Sequence, residues 1–143
     1  MRALGLDVGT RTVGVAMSDP LGVTAQGLTT LRRRGIRADL SALGELARTH
    51  GVTHAVVGLP LNMDGSEGAS AARSRAFGEA LARSLGVPVD YWDERLTTVA
   101  AERALREGDV SGRRRRELVD QVAAALILQG WLDARGRPQE GEA

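Results

Sequence analysis

The chain predicts an α/β fold with a mixed five-stranded sheet: an antiparallel meander extended by parallel strands and flanked by helices. Two observations carry that expectation. Strand-like runs come first, joined by connections too short to hold a helix, and helix and strand then alternate. In such sheets ligands gather near strand ends where the topology switches.

The elements follow in order. Leu4, Leu6 and Val8 alternate with smaller residues, Gly9-Thr10-Arg11 supplies a turn, and Val13, Val15 and Met17 alternate again. Val23 to Leu31 reads as a third strand. From Arg37 to His50, Leu40, Leu43, Leu46 and Ala47 fall at helical spacing, and Gly51 stops the helix. His54 to Leu59 is a short apolar run, hence a buried strand, and Pro60 to Gly68 is a Gly/Asn/Asp loop. Ser70 to Leu85 is helical, with Phe77, Leu81 and Leu85 on one face and Gly86 as terminator. Val87 to Glu94 is the last strand. Thr97 or Thr98 caps a helix through Arg106, Gly108 to Gly112 is a loop, and a final helix runs from Arg114 to Ala134. The expectation is one domain over residues 1–135 and a frayed polar tail over 136–143.

Composition narrows the function classes. No cysteine is present, which excludes disulfides, thiolate metal sites and cysteine nucleophiles. No stretch approaches the roughly 18 apolar residues of a membrane span, and the N-terminus enters a strand pattern without a signal-peptide layout. The expectation is therefore a soluble, cytoplasmic protein with no membrane partner. Net charge is only +1, so bulk electrostatics do not announce a nucleic-acid binder. All basic side chains are arginine, and two blocks stand out, Arg32-Arg33-Arg34 and Arg113-Arg114-Arg115-Arg116. Taken alone, each block reads as a solvated face.

Three carboxylates sit where carboxylates are costly. Asp7 lies within an apolar strand, Glu94 closes another, and Asp120 precedes the apolar run Gln121 to Leu128. Asp120 shares a helix sector with Ala124, Ile127 and Trp131. An ionised carboxylate removed from water must be paired or bind a cation. A local alternative exists for two of them: Asp7 bonded to a neighbouring turn, and Glu94 in a helix-entry network with Arg95 and Thr97. Acids from three elements instead point to one shared divalent-cation site. Oxygen-only ligands suit Mg²⁺ or Mn²⁺, and such ions activate water and stabilise the leaving oxygen of a phosphodiester. His50 and His54 flank a helix-to-strand junction and read as structural.

Four segments then resemble a known family: Leu4 to Ala16, Val57 to Gly65, Asp93 to Thr98, and Asp120 to Ala124. In order and along nearly the whole chain, they are similar to the YqgF family of Holliday-junction-resolvase-like nucleases, associated with processing the precursor of small-subunit ribosomal RNA. The resemblance implies a ribonuclease H-like fold and a metal-dependent phosphodiesterase centre. It places the family's acidic positions on Asp7, Glu94 and Asp120, as catalytic residues and metal ligands. Thr10, Arg11, Asn62, Arg95, Thr97 and Thr98 stand in the matching motifs as substrate-side candidates. Arg113, Arg114, Arg115 and Arg116 join them on physical grounds, because positive charge at a helix N-terminus is locally unfavourable unless phosphate arrives there. Glu117 lies one turn before Asp120 and stays outside the expected set, counter-paired by its arginine neighbours.

The main expectation is a nuclease on structured nucleic acid, precursor ribosomal RNA ahead of branched DNA, working as monomer or homodimer and in contact with ribosomal precursor particles. Two other classes remain open. Asp7-Val8-Gly9-Thr10 also looks like the first phosphate motif of sugar kinases and actin-like ATPases, which close two such domains over a nucleotide. A catalytically idle nucleic-acid-binding or ribosome-assembly module would keep the fold alone.

Overall fold

The structure is a computed structural model and describes residues 1–97 and 112–136. The expected helix reaching Arg106, the loop from Gly108, Thr98 and the tail from Arg137 onward lie outside the described residues.

Alternation builds the meander. Strands β1 (Ala3–Val8), β2 (Thr12–Ser18) and β3 (Ala25–Arg32) pair antiparallel in sequence order. The third strand starts two residues later than its composition suggests, and its register against β2 shifts between Val15 and Ala16. Strand β4 (His54–Leu59) then adds parallel to β1, and β5 (Val89–Asp93) parallel to β4. The order is β3-β2-β1-β4-β5, the mixed five-stranded sheet expected.

Helices α1 (Ile36–His50) and α2 (Ala69–Leu85) supply the crossovers. Gly51 and Gly86 end them in the left-handed conformation, each amide closing on a carbonyl of the last turn. Both helices cover one face of the sheet. There Leu4, Leu6 and Val8 of β1 and Val13, Val15 and Met17 of β2 pack with Leu43, Phe77 and Leu81.

Helix α3 (Arg113–Gly136) covers the opposite face. Its Ala123, Ala124, Ile127, Leu128 and Trp131 pack on Ala3, Ala16 and Val56. Full burial of side chains such as Ile127 and Leu128 contributes roughly 1.5–3 kcal/mol each. Strand positions on this face are small, so α3 rides close to the sheet. A Cβ added at Gly14 would collide with the Asp120 carbonyl and lie 3.1 Å from the Asp120 Cβ.

Two ends of the sheet differ in kind. At one end the β2–β3 turn carries exposed Leu21 and Val23. At the other, β1, β4 and β5 finish with their carboxyl ends side by side, next to the β1–β2 turn and the last residue of β3.

Candidate functional site

Asp7 is the one charged side chain on β1, and the pleat decides where it points. Leu6 and Val8 face α1 and α2, so Asp7 faces α3, opposite Gly14 of β2. Asp120, on the first turns of α3, crosses Gly14 on that same face. Its Oδ2 accepts a hydrogen bond from the Thr12 hydroxyl at 2.7 Å.

Strand β5 ends at Asp93, one residue short of expectation, and Glu94 opens a single 3-10 turn through Leu96. The turn forms because the Asp93 carboxylate accepts the Arg95 amide at 2.9 Å, while Thr97 donates its amide and its hydroxyl to the Glu94 carbonyl. That bend folds the Glu94 carboxyl back over β4. A Cβ added at Gly58 would lie 3.5 Å from the Glu94 carboxyl carbon. Glu94 is 6% exposed, whereas Asp7 and Asp120 are half-buried. Sequence reasoning placed all three inside or at the edge of apolar core runs; only Glu94 is fully buried, and the other two are half-buried.

The three acids thus come from β1, the end of β5 and α3 onto one face at one end of the sheet. Among the described residues, no group of three or more Asp, Glu, His or Cys side chains is placed so as to hold a metal ion. The three acids fit a hard divalent cation in kind, all oxygen and all carboxylate, and an ion that keeps several waters and takes substrate phosphate needs fewer protein ligands than that.

A cleft of about 710 Å³ opens beside Asp120. Thr10 and Arg11 of the β1–β2 turn with Thr12 at the start of β2 form one wall, Arg32 at the end of β3 with Arg33 and Arg34 beyond it another, and Arg116 and Glu117 of α3 the third. Arg11, Arg32, Arg34 and Arg116 are exposed. The ion pairs of the described residues engage other arginines, namely Arg33, Arg75 and Arg95. Four guanidinium groups around one cleft, without carboxylate partners among the described residues, form a positive wall for phosphate.

The basic block at 32–34 is not uniform, which corrects its reading as a solvated face. Arg33 pairs with buried Asp39 at 2.8 Å, donates to the Gly9 carbonyl at 2.9 Å and lies over the Phe77 ring. Asp39 also accepts the Arg34 amide at 3.0 Å. Arg33 therefore fixes the turn that carries Thr10 and Arg11, while its neighbours face the cleft.

The remaining candidates fall elsewhere. Arg95 forms a fork on Asp93, holding that carboxyl below its usual range chiefly through this side-chain hydrogen bond, and donates to the Met63 carbonyl at 3.2 Å. Asn62 donates its side-chain amide to the Ser66 hydroxyl within the β4–α2 loop. Arg95 and Asn62 are thus loop-building groups in this structure. Arg115 is exposed on the first turn of α3, and the side chains of Arg113 and Arg114 lie outside what is described. His54 meets Thr53 and the Trp131 ring, a structural setting. Sequence reasoning missed Thr12, Arg32 and Arg34. Thr12 was findable, because it shares the strand parity of Gly14, Asp7's partner; the two arginines were not, since β3 had to be placed first.

Comparison with known proteins agrees with this architecture. A family model described as "Holliday junction resolvase", RuvX, matches residues 1–134. A Myxococcus xanthus protein named "Putative pre-16S rRNA nuclease" is 64% identical over 138 residues, covering 96% of this chain and 91% of its own. A protein of the same name from Moorella thermoacetica is 62% identical over 137 residues, covering 96% and 98%. Among solved structures, Thermus thermophilus RuvC in complex with a Holliday junction substrate superposes with a TM-score of 0.59 at 17% identity, over 100% of this chain and 98% of that one. The Fowlpox virus resolvase bound to Holliday junction DNA gives 0.56 at 7% identity, over 96% and 100%. At those identities the likeness concerns the fold, which is ribonuclease H-like as the motifs implied. From the family match and the full-length relatives together, this chain belongs to the RuvX family, the YqgF family that its four motifs resemble.

Proposed function

We propose that this protein is a divalent-metal-dependent nuclease that hydrolyses phosphodiester bonds in structured nucleic acid, the precursor of 16S ribosomal RNA first. The observation that carries the proposal is the placement of Asp7, Glu94 and Asp120, from three separate elements, on one face at one end of the sheet, with Asp120 lining an arginine-walled cleft. The names of the full-length relatives support both the nuclease activity and the RNA. In this reading Asp7, Glu94 and Asp120 hold Mg²⁺ or Mn²⁺, which supplies water activation and charge neutralisation at the scissile phosphate.

The chain's own groups do the rest. Thr12 orients the Asp120 carboxylate by donating to Oδ2. The buried setting of Glu94 excludes water around it and strengthens its interaction with any cation. Arg11, Arg32, Arg34 and Arg116 hold flanking phosphates and align the strand across the acids. No helix among the described residues is long and apolar enough to cross a membrane, in keeping with action in the cytoplasm on ribosomal precursor particles.

Branched DNA is the second reading, favoured by the description of the family model; it requires two copies of the chain to cut symmetric strands. Purified protein with Mn²⁺ or Mg²⁺ is compared on precursor 16S RNA, single-stranded RNA and a four-way DNA junction. Cleavage of precursor RNA in preference to the junction is the expected result. Junction cleavage alone transfers the activity to DNA. Tight RNA binding with no cleavage at any metal concentration leaves only an assembly module.

A further inference from the structure

Thr30 lies half-buried on the outer strand β3 and donates its hydroxyl to the Glu117 carbonyl at 2.6 Å, across 87 residues of sequence. Strand pairing sets it in a row: Asp7 of β1 is opposite Gly14 of β2, and Gly14 is opposite Thr30. Helix α3 crosses that row with one face, at helical spacing. The Glu117 carbonyl meets Thr30 and the Asp120 carbonyl covers Gly14. Further along, the Ala124 carbonyl lies over Gly5 of β1, where an added Cβ would come within 2.9 Å of it.

Neither group needs this bond for its own satisfaction. A carbonyl at this place in an α-helix already takes the amide four residues on, and a half-buried hydroxyl has water to turn to. The effect of the bond is positional. The contacts of α3 with Gly5 and Gly14 are close but without direction, so they set its height above the sheet and leave it free to slide along its axis. The bonds from Thr12 to Asp120 and from Ala25 to Gln129 end on side chains, which swivel. The Thr30 bond ends on the helix backbone, and it stands between two walls of the cleft. Arg32 follows two residues on along the same face of β3, and Arg116 immediately precedes Glu117.

We propose that Thr30 is a positioning residue of the site: by holding the Glu117 carbonyl it sets the register of α3 over the sheet. One bond then fixes two things, the placement of Asp120 relative to Asp7 and the gap between Arg32 and Arg116 across the cleft. The first governs how the acids share a cation, the second which spacing of phosphates the arginines grip together. This assignment rests on the nuclease reading above.

The test measures affinity for precursor 16S RNA and for a four-way DNA junction, using the full chain with Asp7→Asn so that bound nucleic acid is not consumed. Thr30→Val and Arg116→Gln are added singly and together. Each single change is expected to weaken binding about 3- to 10-fold. The pair is expected to cost little more than the worse single change, because Arg116 is already out of place once the bond is gone. With Asp7 intact, Thr30→Val is expected to raise the Mn²⁺ concentration for half-maximal cleavage several-fold, and Thr30→Ser to restore affinity and metal requirement alike. A hydroxyl that serves the fold alone would lower the melting temperature and move neither readout. Weakening by the product of the two single effects, or a metal requirement equal to wild type, overturns the assignment and leaves the nuclease reading standing. Binding without cleavage at any metal concentration, or no binding to either probe, overturns both.

Discussion

Thr12 and Asp120, 108 residues apart in sequence, are joined by a hydrogen bond of 2.7 Å from the Thr12 hydroxyl to Asp120 Oδ2. The bond links the start of β2 to the first turns of α3, and it orients the Asp120 carboxylate. Without it, the half-buried carboxylate would be free to rotate about its last torsion.

Removing that donor is the sharpest test of the site's assembly. Thr12→Val keeps the shape and deletes the hydroxyl, at a cost of about 0.5–1.5 kcal/mol in stability. Cleavage is expected to fall, with the metal concentration needed for half-maximal rate rising, because Asp120 loses its orientation. Thr12→Ser restores both. A metal requirement identical to wild type would confine Thr12 to a structural role.

Charge-removing substitutions address the acids themselves. Asp7→Asn, Glu94→Gln and Asp120→Asn are each expected to lower cleavage about 100-fold or more, since a metal ligand supplies several kcal/mol of transition-state stabilisation. Melting temperature without metal should hold or rise, because the amides keep the shape and the buried Glu94 site favours a neutral group. With Mn²⁺ the wild type should gain stability as RT ln(1 + [L]/Kd), and each variant should lose that gain. Because the described residues hold no preformed group of three metal-ligating side chains, the gain should be modest for the protein alone and grow when nucleic acid is added. A variant that cleaves at the wild-type rate removes its residue from the site.

Much of this was legible beforehand, and the reasons are local. Strand alternation and glycine stops define the elements because they depend on neighbours in sequence: the α1 and α2 starts fall within one residue of expectation and their last residues on it. The acids stood out because each lies in or at the edge of an apolar run, where an ionised carboxylate is costly. What stayed hidden is long-range. Thr12 is an ordinary threonine until α3 arrives, and the end of β5 shifts because Asp93 caps the turn that follows. Arg33 looked like its neighbours, although among the three it is the Arg33 side chain that pairs with Asp39 and lies over Phe77.

That division within the arginine block carries its own prediction. Asp39 is 3% exposed and its partner Arg33 20%, so breaking the pair leaves a guanidinium without its counter-charge. Asp39→Ala is expected to destabilise the protein by about 3–5 kcal/mol. Cleavage should weaken as well, because Arg33 holds the Gly9 carbonyl and with it the turn bearing Thr10 and Arg11. Denaturant titration reads the first effect; a change below about 1 kcal/mol would mean that the pair is only a surface contact.

Arg32 and Arg34 should behave in the opposite way. They line the same cleft as Arg33 but, unlike it, are exposed and without carboxylate partners among the described residues. Replacing both with Gln should leave stability within roughly 0.5 kcal/mol, as surface changes do. Nucleic-acid affinity should fall across sequences, and the slope of log K against log salt should flatten by roughly 0.7–0.9 per lost phosphate contact. Arg116→Gln on α3 is expected to flatten it further, because that side chain faces the same cleft from the opposite wall. Solvated surface arginines, by contrast, predict unchanged affinity and an unchanged slope. Titrations of the double and triple variants at several salt concentrations separate the two, and a slope equal to wild type would leave the cleft without a role in holding phosphate.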